Sequence, residues 1–315
     1  MSFEPTVHSS TAPGKAILFG EHAVVHGQPA IAVPVTQVCA AVRVHPAADG
    51  ERRFVSAATG LDLDLSDAGP DFWGAALVTA LEAACGCVLG SFRLEIESSI
   101  PVAAGLGSGA AIAVAAVRAL AARIGFEPDL ETVSRIAYEV EKIHHGTPSG
   151  IDNTTVTWSQ PVYFRRGSPV EFIRPAAAFE FVIGLTGIPS PTGRVVADVR
   201  AAHQADPVRF DRIFSQIGRL TKNARAAIEN GDPAELGRLM DRNHDLLCEM
   251  TVSSGELDRL VKAAREAGAE GAKLSGGGRG GNMLALAVPG RAEILENALR
   301  SAGAAGTIRT IVEMP

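Results

Sequence analysis

Three glycines within five residues, Gly105, Gly107 and Gly109, sit between two segments of opposite character. Before them, Phe92-Arg-Leu-Glu-Ile-Glu97 alternates apolar and charged residues, the period of a half-buried strand. After them, Ala110–Arg123 is an alanine-rich run of high helix propensity. The stretch Pro101–Ala111 is therefore a strand-to-helix turn that lets backbone approach a ligand closely. At a helix start the first N–H groups lack internal partners and carry the positive end of the dipole, which favours an anion. Ser108 adds a hydroxyl there. A turn serving geometry alone is the plain alternative. Gly105-x-Gly107-x-x-Ala110 also matches a dinucleotide fingerprint, with Glu127 or Asp129 as the acidic residue further on. A Walker A loop is excluded because no lysine follows the glycines.

At 315 residues the chain has ample sequence for a buried core, in one large or two ordinary domains. A net charge of −6 argues against a nucleic-acid surface, which needs a basic face. Cys39, Cys85, Cys87 and Cys248 lack zinc spacing, Cys85-x-Cys87 being one residue short of C-x-x-C. Scattered thiols of this kind fit a reduced, cytoplasmic setting. The polar start of the chain, with Glu4, is not a signal peptide, and no apolar run reaches membrane-spanning length.

Read in order, Val7–Ala12 is a short strand, followed by a Pro13-Gly14 turn from which Lys15 projects, an arrangement equally open to an ordinary surface lysine. His22 and His26 are four apart, but Glu21 precedes the first histidine, the wrong order for a zinc helix. Ala30–His45 reads as a long strand, Arg52–Asp67 as a hairpin or irregular segment, and Asp71–Cys85 as a helix capped by Asp71. Asp129 caps a helix reaching His145, near whose C-terminal end Glu139 and Glu141 are disfavoured by the dipole. That placement predicts carboxylates that are solvated or face a cation. Gly146–Asn153 reads as a loop, with Asp152 either functional or bonded to its own backbone, and Thr154–Arg165 as a strand pair. Beyond a boundary near residue 175 come the strand Phe179–Thr186 and helices over about 193–204, 208–229, 234–248 and 255–267. The glycine cluster Lys273–Gly281, the strand Asn282–Val288, a helix to Ala302 and the strand Thr307–Val312 close the chain.

Three segments together resemble the GHMP kinases: Pro13-Gly-Lys-Ala-Ile-Leu-Phe-Gly-Glu-His22, the Gly105–Ala111 turn and the Lys273–Gly281 cluster. Within that superfamily, Gly20–Gly27 and Gly146–Asn153 are similar to mevalonate kinases. The resemblance sets aside the dinucleotide reading. It implies an α/β (α+β) protein of two domains. Residues 1–175 would resemble ribosomal protein S5 domain 2 and carry the phosphate loop 101–111. Residues 176–315 would be ferredoxin-like and carry the glycine-rich loop 273–281.

The resemblance also implies an activity and its residues. ATP would be bound through Pro101, Gly105, Leu106, Gly107, Ser108, Gly109 and Ala110, with Gly277 and Gly278 closing the site. Magnesium would be held by Glu141 and Ser108. Asp152 would be the base, with Lys15 paired to it and to the reacting alcohol. The acceptor would be the C5 hydroxyl of (R)-mevalonate, contacted by Glu21, His22, Thr192 and Arg194; 5-phosphomevalonate, as in a phosphomevalonate kinase, is the alternative acceptor. The expected assembly is a homodimer, with no membrane or nucleic-acid partner. Two departures stand out. Gly109 replaces the family's usual second serine, and Arg279 interrupts the last glycine cluster, facing either phosphates or solvent.

Overall fold

In a computed structural model of the chain, residues 6–69, 71–145 and 148–313 are described, without the side chains of His144 and His145. Gly146 and Thr147, part of one expected motif, lie outside them. Contacts divide the chain into two units. One comprises residues 1–14, 38–100 and 107–159; the other comprises 15–37, 101–106 and 160–315. Two long strands, β1 (His8–Phe19) and β2 (Ala30–His45), contribute residues to both.

In the first unit, Ala40–His45 of β2 pairs antiparallel with β5 (Phe92–Ser98). The expected hairpin is present as β3 (Arg52–Ser56) and β4 (Leu61–Asp64), and β3 runs parallel to β5. A parallel pair needs a crossover, and α1 (Trp73–Cys85) lies in that connection. Its N-cap is Phe72 rather than the expected Asp71, whose place is two residues outside the helix. Helix α2 (Ser108–Arg123) is buried on nearly every side because its surface is mostly alanine, and it packs against α1, α3 (Leu130–His145), α4 (Ile151–Trp158) and β5. Asp129 caps α3 as expected, accepting from Thr132 N–H at 2.7 Å.

Helix α4 corrects the reading of a loop followed by a strand pair. Its start is Gly150 at φ +93°. The β-branched run Thr154–Thr157 is tolerated because two hydroxyls bond back to the preceding turn. Thr154 Oγ1 donates to the Gly150 carbonyl at 2.7 Å and Thr155 Oγ1 to that of Ile151 at 2.8 Å. Burial of Thr155, Val156 and Thr157 then outweighs their strand propensity. Only Val162–Phe164 of the expected pair is extended there, as β6.

In the second unit, β6 pairs with Ala30–Ala32 of β2 and with β7 (Glu171–Phe172). A separate antiparallel sheet has the order β11 (Gly306–Val312), β8 (Phe179–Leu185), β10 (Asn282–Leu286), β9 (Gly271–Ser275). Helices α5 (Thr192–Ala205), α6 (Pro207–Asn230), α7 (Pro233–Glu249), α8 (Gly255–Glu266) and α9 (Ala292–Ser301) lie close to the expected spans. Pro207 and Pro233 occupy first helical turns, after the capping residues Asp206 and Asp232. Their apolar faces and the sheet form one core around Phe214, Leu246, Leu274 and Met283. Strand β9 departs from the expected glycine-cluster loop: a buried lysine, Lys273, interrupts its short apolar run and breaks the signal. Likewise, Pro13-Gly14 makes no turn, since β1 continues through Lys15. Among the described residues no helix is long and apolar enough to cross a membrane.

Candidate active site

The first motif places three chemical groups in the second unit. Lys15, on β1, is buried; its Nζ donates to the Gly105 carbonyl at 3.1 Å, and its N–H bonds Leu106 O at 2.9 Å. It is therefore no projecting surface lysine. Asn282, first residue of β10, donates to Ala104 O at 2.7 Å, and Ser190 N–H to Ala103 O at 2.9 Å. The stretch 103–106 is thus held through its carbonyls, from β1, β10 and the turn before α5.

Glu21 is fully buried and forms an ion pair with Lys273 of β9, while Asn243 of α7 donates to its second oxygen at 3.0 Å. Desolvation costs several kcal/mol per ion, which only close pairing and further hydrogen bonds offset. Lys273 also donates to the Leu274 carbonyl at 2.7 Å. Burial pulls the lysine's pKa down and Glu21 pushes it back up. Glu21 immediately precedes His22, whose backbone is at φ +58°, a strained conformation costing about 1–3 kcal/mol.

Burial drives the His22 imidazole down to about 4, so the ring is neutral at pH 7. Its Nε2 lies 3.1 Å from the Gly277 carbonyl, which can only accept, so the proton is on Nε2. Nδ1 is then a buried acceptor with no protein partner among the described residues. Such an atom suits a hydroxyl donor.

The glycine cluster is a tight loop packed onto α5 and the α7–α8 turn. A Cβ at Gly277 would stand 2.7 Å from Thr192 Oγ1. At Gly278, where φ is +79°, a Cβ would be 2.0 Å from the Val252 carbonyl, so only glycine fits. Ser190 Oγ donates to Gly278 O at 3.0 Å. Arg279 does not lie open to solvent: it forms an ion pair with Asp198 of α5 and donates to Thr251 O at 3.2 Å. His22, Thr192, Gly277 and Gly278 are thus brought together, whereas Arg194 is exposed on α5. Asn243, Asn282 and Ser190 have no local sequence pattern that marks them.

Beneath β9, His244 Nδ1 accepts from Leu274 N–H at 3.3 Å, leaving the proton on Nε2, which faces Asp258 at 3.5 Å and Cys248 at 3.6 Å. With that tautomer the ring offers no lone pair to a cation, although three metal-ligating side chains converge there.

In the first unit, Gly107 is the N-cap of α2 at φ +74°, and Ser108, Gly109 and Ala110 form its opening turn. Glu141 of α3 is buried, and its Oε1 would lie 3.2 Å from a Cβ at Gly109. Glu139, by contrast, is at the surface with Lys142 at 2.8 Å. A buried carboxylate therefore stands next to the helix N-terminus that the sequence marks for phosphate. Such a donor fits a hard divalent cation. Asp152 lies in the first turn of α4.

The chain belongs to the GHMP kinases, a family of small-molecule kinases: the family's N terminal domain matches residues 72–160 and its C terminal domain residues 224–305. Within that family it is similar along its length to mevalonate kinases. It is 36% identical to that of Thermococcus sibiricus over 313 residues, 93% of each chain. The crystal structure of L. major mevalonate kinase in complex with R-mevalonate is 30% identical, with a TM-score of 0.83, covering 98% of this chain and 97% of that one. A Streptococcus pneumoniae phosphomevalonate kinase has the same TM-score, 0.83, at 18% identity over 96% of this chain and 99% of its own, a likeness of fold alone. Membership of a kinase family carries ATP as phosphoryl donor.

Proposed function

We propose that the chain transfers the γ-phosphoryl group of ATP to the C5 hydroxyl of (R)-mevalonate, giving 5-phosphomevalonate and ADP. The observation that carries the substrate is the similarity to mevalonate kinases over 93% of the chain. The buried, neutral His22 supports it: Nδ1 is an acceptor suited to an alcohol O–H.

Phosphoryl transfer depends on positioning and charge stabilisation more than on covalent help. The α2 N-terminus, with Gly107, Ser108, Gly109 and Ala110, would cradle phosphate oxygens, and the resemblance adds Pro101, Gly105, Leu106, Gly277 and Gly278 as further ATP contacts. Magnesium would be held by Glu141 and Ser108, and when bound it neutralises phosphate charge. Asp152 takes the proton of the attacking hydroxyl. Lys15, a compact cation, favours the alkoxide that develops. Glu21, locked by Lys273 and Asn243, positions His22 toward substrate, and Thr192 and Arg194 at the start of α5 supply further polar contacts. The sequence boundary near residue 175, a homodimeric assembly and a cytoplasmic location belong to the same proposal; the four free thiols support the last.

The test is ADP release with ATP and magnesium over a panel of (R)-mevalonate, 5-phosphomevalonate, homoserine and galactose, with products read by phosphorus NMR. A phosphomonoester formed from mevalonate alone is expected. Turnover of 5-phosphomevalonate to a diphosphate, with mevalonate inert, would transfer the chain to the alternative reaction.

A further inference from the structure

Two neighbouring thiols take no part in the proposed phosphoryl transfer. Cys85 is the last residue of α1 and Cys87 follows after a single glycine. Gly86 caps the helix in the left-handed conformation, φ +69°, and its N–H returns to the Glu82 carbonyl at 2.9 Å. This reversal folds the two cysteines toward each other, and their sulfurs lie 3.1 Å apart as free thiols. Closing that gap to a disulfide bond of about 2.05 Å needs a movement of roughly 1 Å. Cys87 is exposed and Cys85 is half-buried. The turn is itself anchored: Leu89 N–H donates to Glu82 at 2.8 Å, and Arg52 pairs with Glu82 at 3.3 Å. The other two cysteines, Cys39 and Cys248, are far from this turn in sequence, on β2 and α7.

The geometry points to Cys85-Gly86-Cys87 as a reversible dithiol site, oxidised to an intramolecular disulfide by hydrogen peroxide. In the first step the Cys87 thiolate attacks one peroxide oxygen; an S–O bond forms, the O–O bond breaks and hydroxide leaves. The Cys85 thiolate then attacks the Cys87 sulfur. An S–S bond forms, the S–O bond breaks and a second hydroxide leaves. The two hydroxides take up the two thiol protons, so one peroxide and two thiols give one disulfide and two waters. Both sulfurs are oxidised and both peroxide oxygens reduced.

Two properties follow from the placement. The exposed sulfur is the one reached first, and the resolving sulfur is already in contact with it. Closure therefore outruns further oxidation of Cys87 to sulfinic acid. The hydrogen bond with Cys85 raises the Cys87 pKa, so thiolate is scarce at neutral pH and the rate rises with pH. The ring spans only three residues, and a strained, exposed disulfide is easily reduced.

The experiment treats the full-length protein with hydrogen peroxide at pH 7 and pH 8, then alkylates it and measures intact and peptide masses. Before alkylation the expected product is lighter by about 2 Da, the two hydrogens of the thiols, and after alkylation it carries two fewer alkyl groups than the untreated protein. Cys85 and Cys87 become unreactive together while Cys39 and Cys248 still alkylate; the reaction is several-fold faster at the higher pH, and dithiothreitol restores both thiols. In Cys85→Ser, Cys87 instead accumulates oxygen as sulfenic and sulfinic acid. The proposal is overturned by oxygen addition at Cys87 in the unmutated protein with Cys85 still alkylatable. A disulfide-linked dimer through Cys87, or loss of Cys39 or Cys248 before this pair, overturns it equally.

Discussion

At Gly109 the resemblance to the family leads one to expect a serine. The residue lies in the first turn of α2 with ordinary helical backbone, and a Cβ there would meet Glu141 Oε1 at 3.2 Å. The contact is tight, but the neighbour is the end of a side chain, which can give by a few tenths of an ångström. Gly109→Ser is therefore expected to fold normally and to place a hydroxyl beside the Glu141 carboxylate, lowering the magnesium concentration for half-maximal rate. A fall in melting temperature together with a raised KM for ATP would show that the turn needs glycine. Asp152 gives a second test at this scale. Asp152→Asn keeps the size and the helical position but cannot accept the alcohol's proton, so kcat should fall by roughly a hundredfold or more while nucleotide affinity persists. Near-normal turnover of the folded variant would remove Asp152 from the mechanism.

Among the elements, the packing of α7 against β9 leaves almost no tolerance. A Cβ on Gly237 would lie 2.1 Å from the Glu270 carbonyl, and one on Gly271 would lie 2.1 Å from that of Gly237. Both obstacles are backbone, so neither can rotate away. Gly237→Ala should cost about 1–3 kcal/mol or more by overpacking, seen as a lower denaturation midpoint. Because α7 carries Asn243 and β9 carries Lys273, catalytic efficiency should fall as well; unchanged stability would mean the helix can slide. The same pair of elements shows what the sequence can and cannot disclose. Helix α7 was legible from its 3.6-residue period and the Asp232-Pro233 start. Strand β9 was hidden because its defining residue is a buried lysine, whose partner Glu21 is 252 positions away. Helix α4 was hidden for a local reason, its Thr-Thr-Val-Thr run spelling strand until hydroxyl back-bonding is seen. Residues carried by a motif, such as His22, Gly277 and Gly278, were readable; Asn243 and Ser190, which support them from elsewhere, were not.

For the molecule as a whole, burying neutral imidazoles ties stability to pH. His22 and His244 are both buried, and burial is the main cause that takes each from the usual 6.5 to about 4. His22 is opposed by its hydrogen bond to Gly277, and Arg279 adds to the downward push. Arg265 and Lys273 push His244 the same way, while Asp258 and Asp245 resist. Above pH 6.5 both rings are neutral folded or unfolded, and neither contributes a pH dependence. Between 6.5 and 4 the unfolded chain binds protons that the folded chain refuses, so stability falls as pH falls. Two such groups give a slope of up to about 2.7 kcal/mol per pH unit, and a total of about 3 kcal/mol for each by pH 4. Denaturant titrations at pH 7.5, 6, 5 and 4.5 should show this decline. His244→Asn, which keeps an acceptor for the Leu274 N–H, should roughly halve the slope and leave stability at pH 7.5 less affected than at pH 5. A stability that is level from pH 7.5 to 5, or that peaks near pH 5, would mean that these rings take up their protons in the folded chain, and the neutral His22 acceptor would have to be abandoned with them.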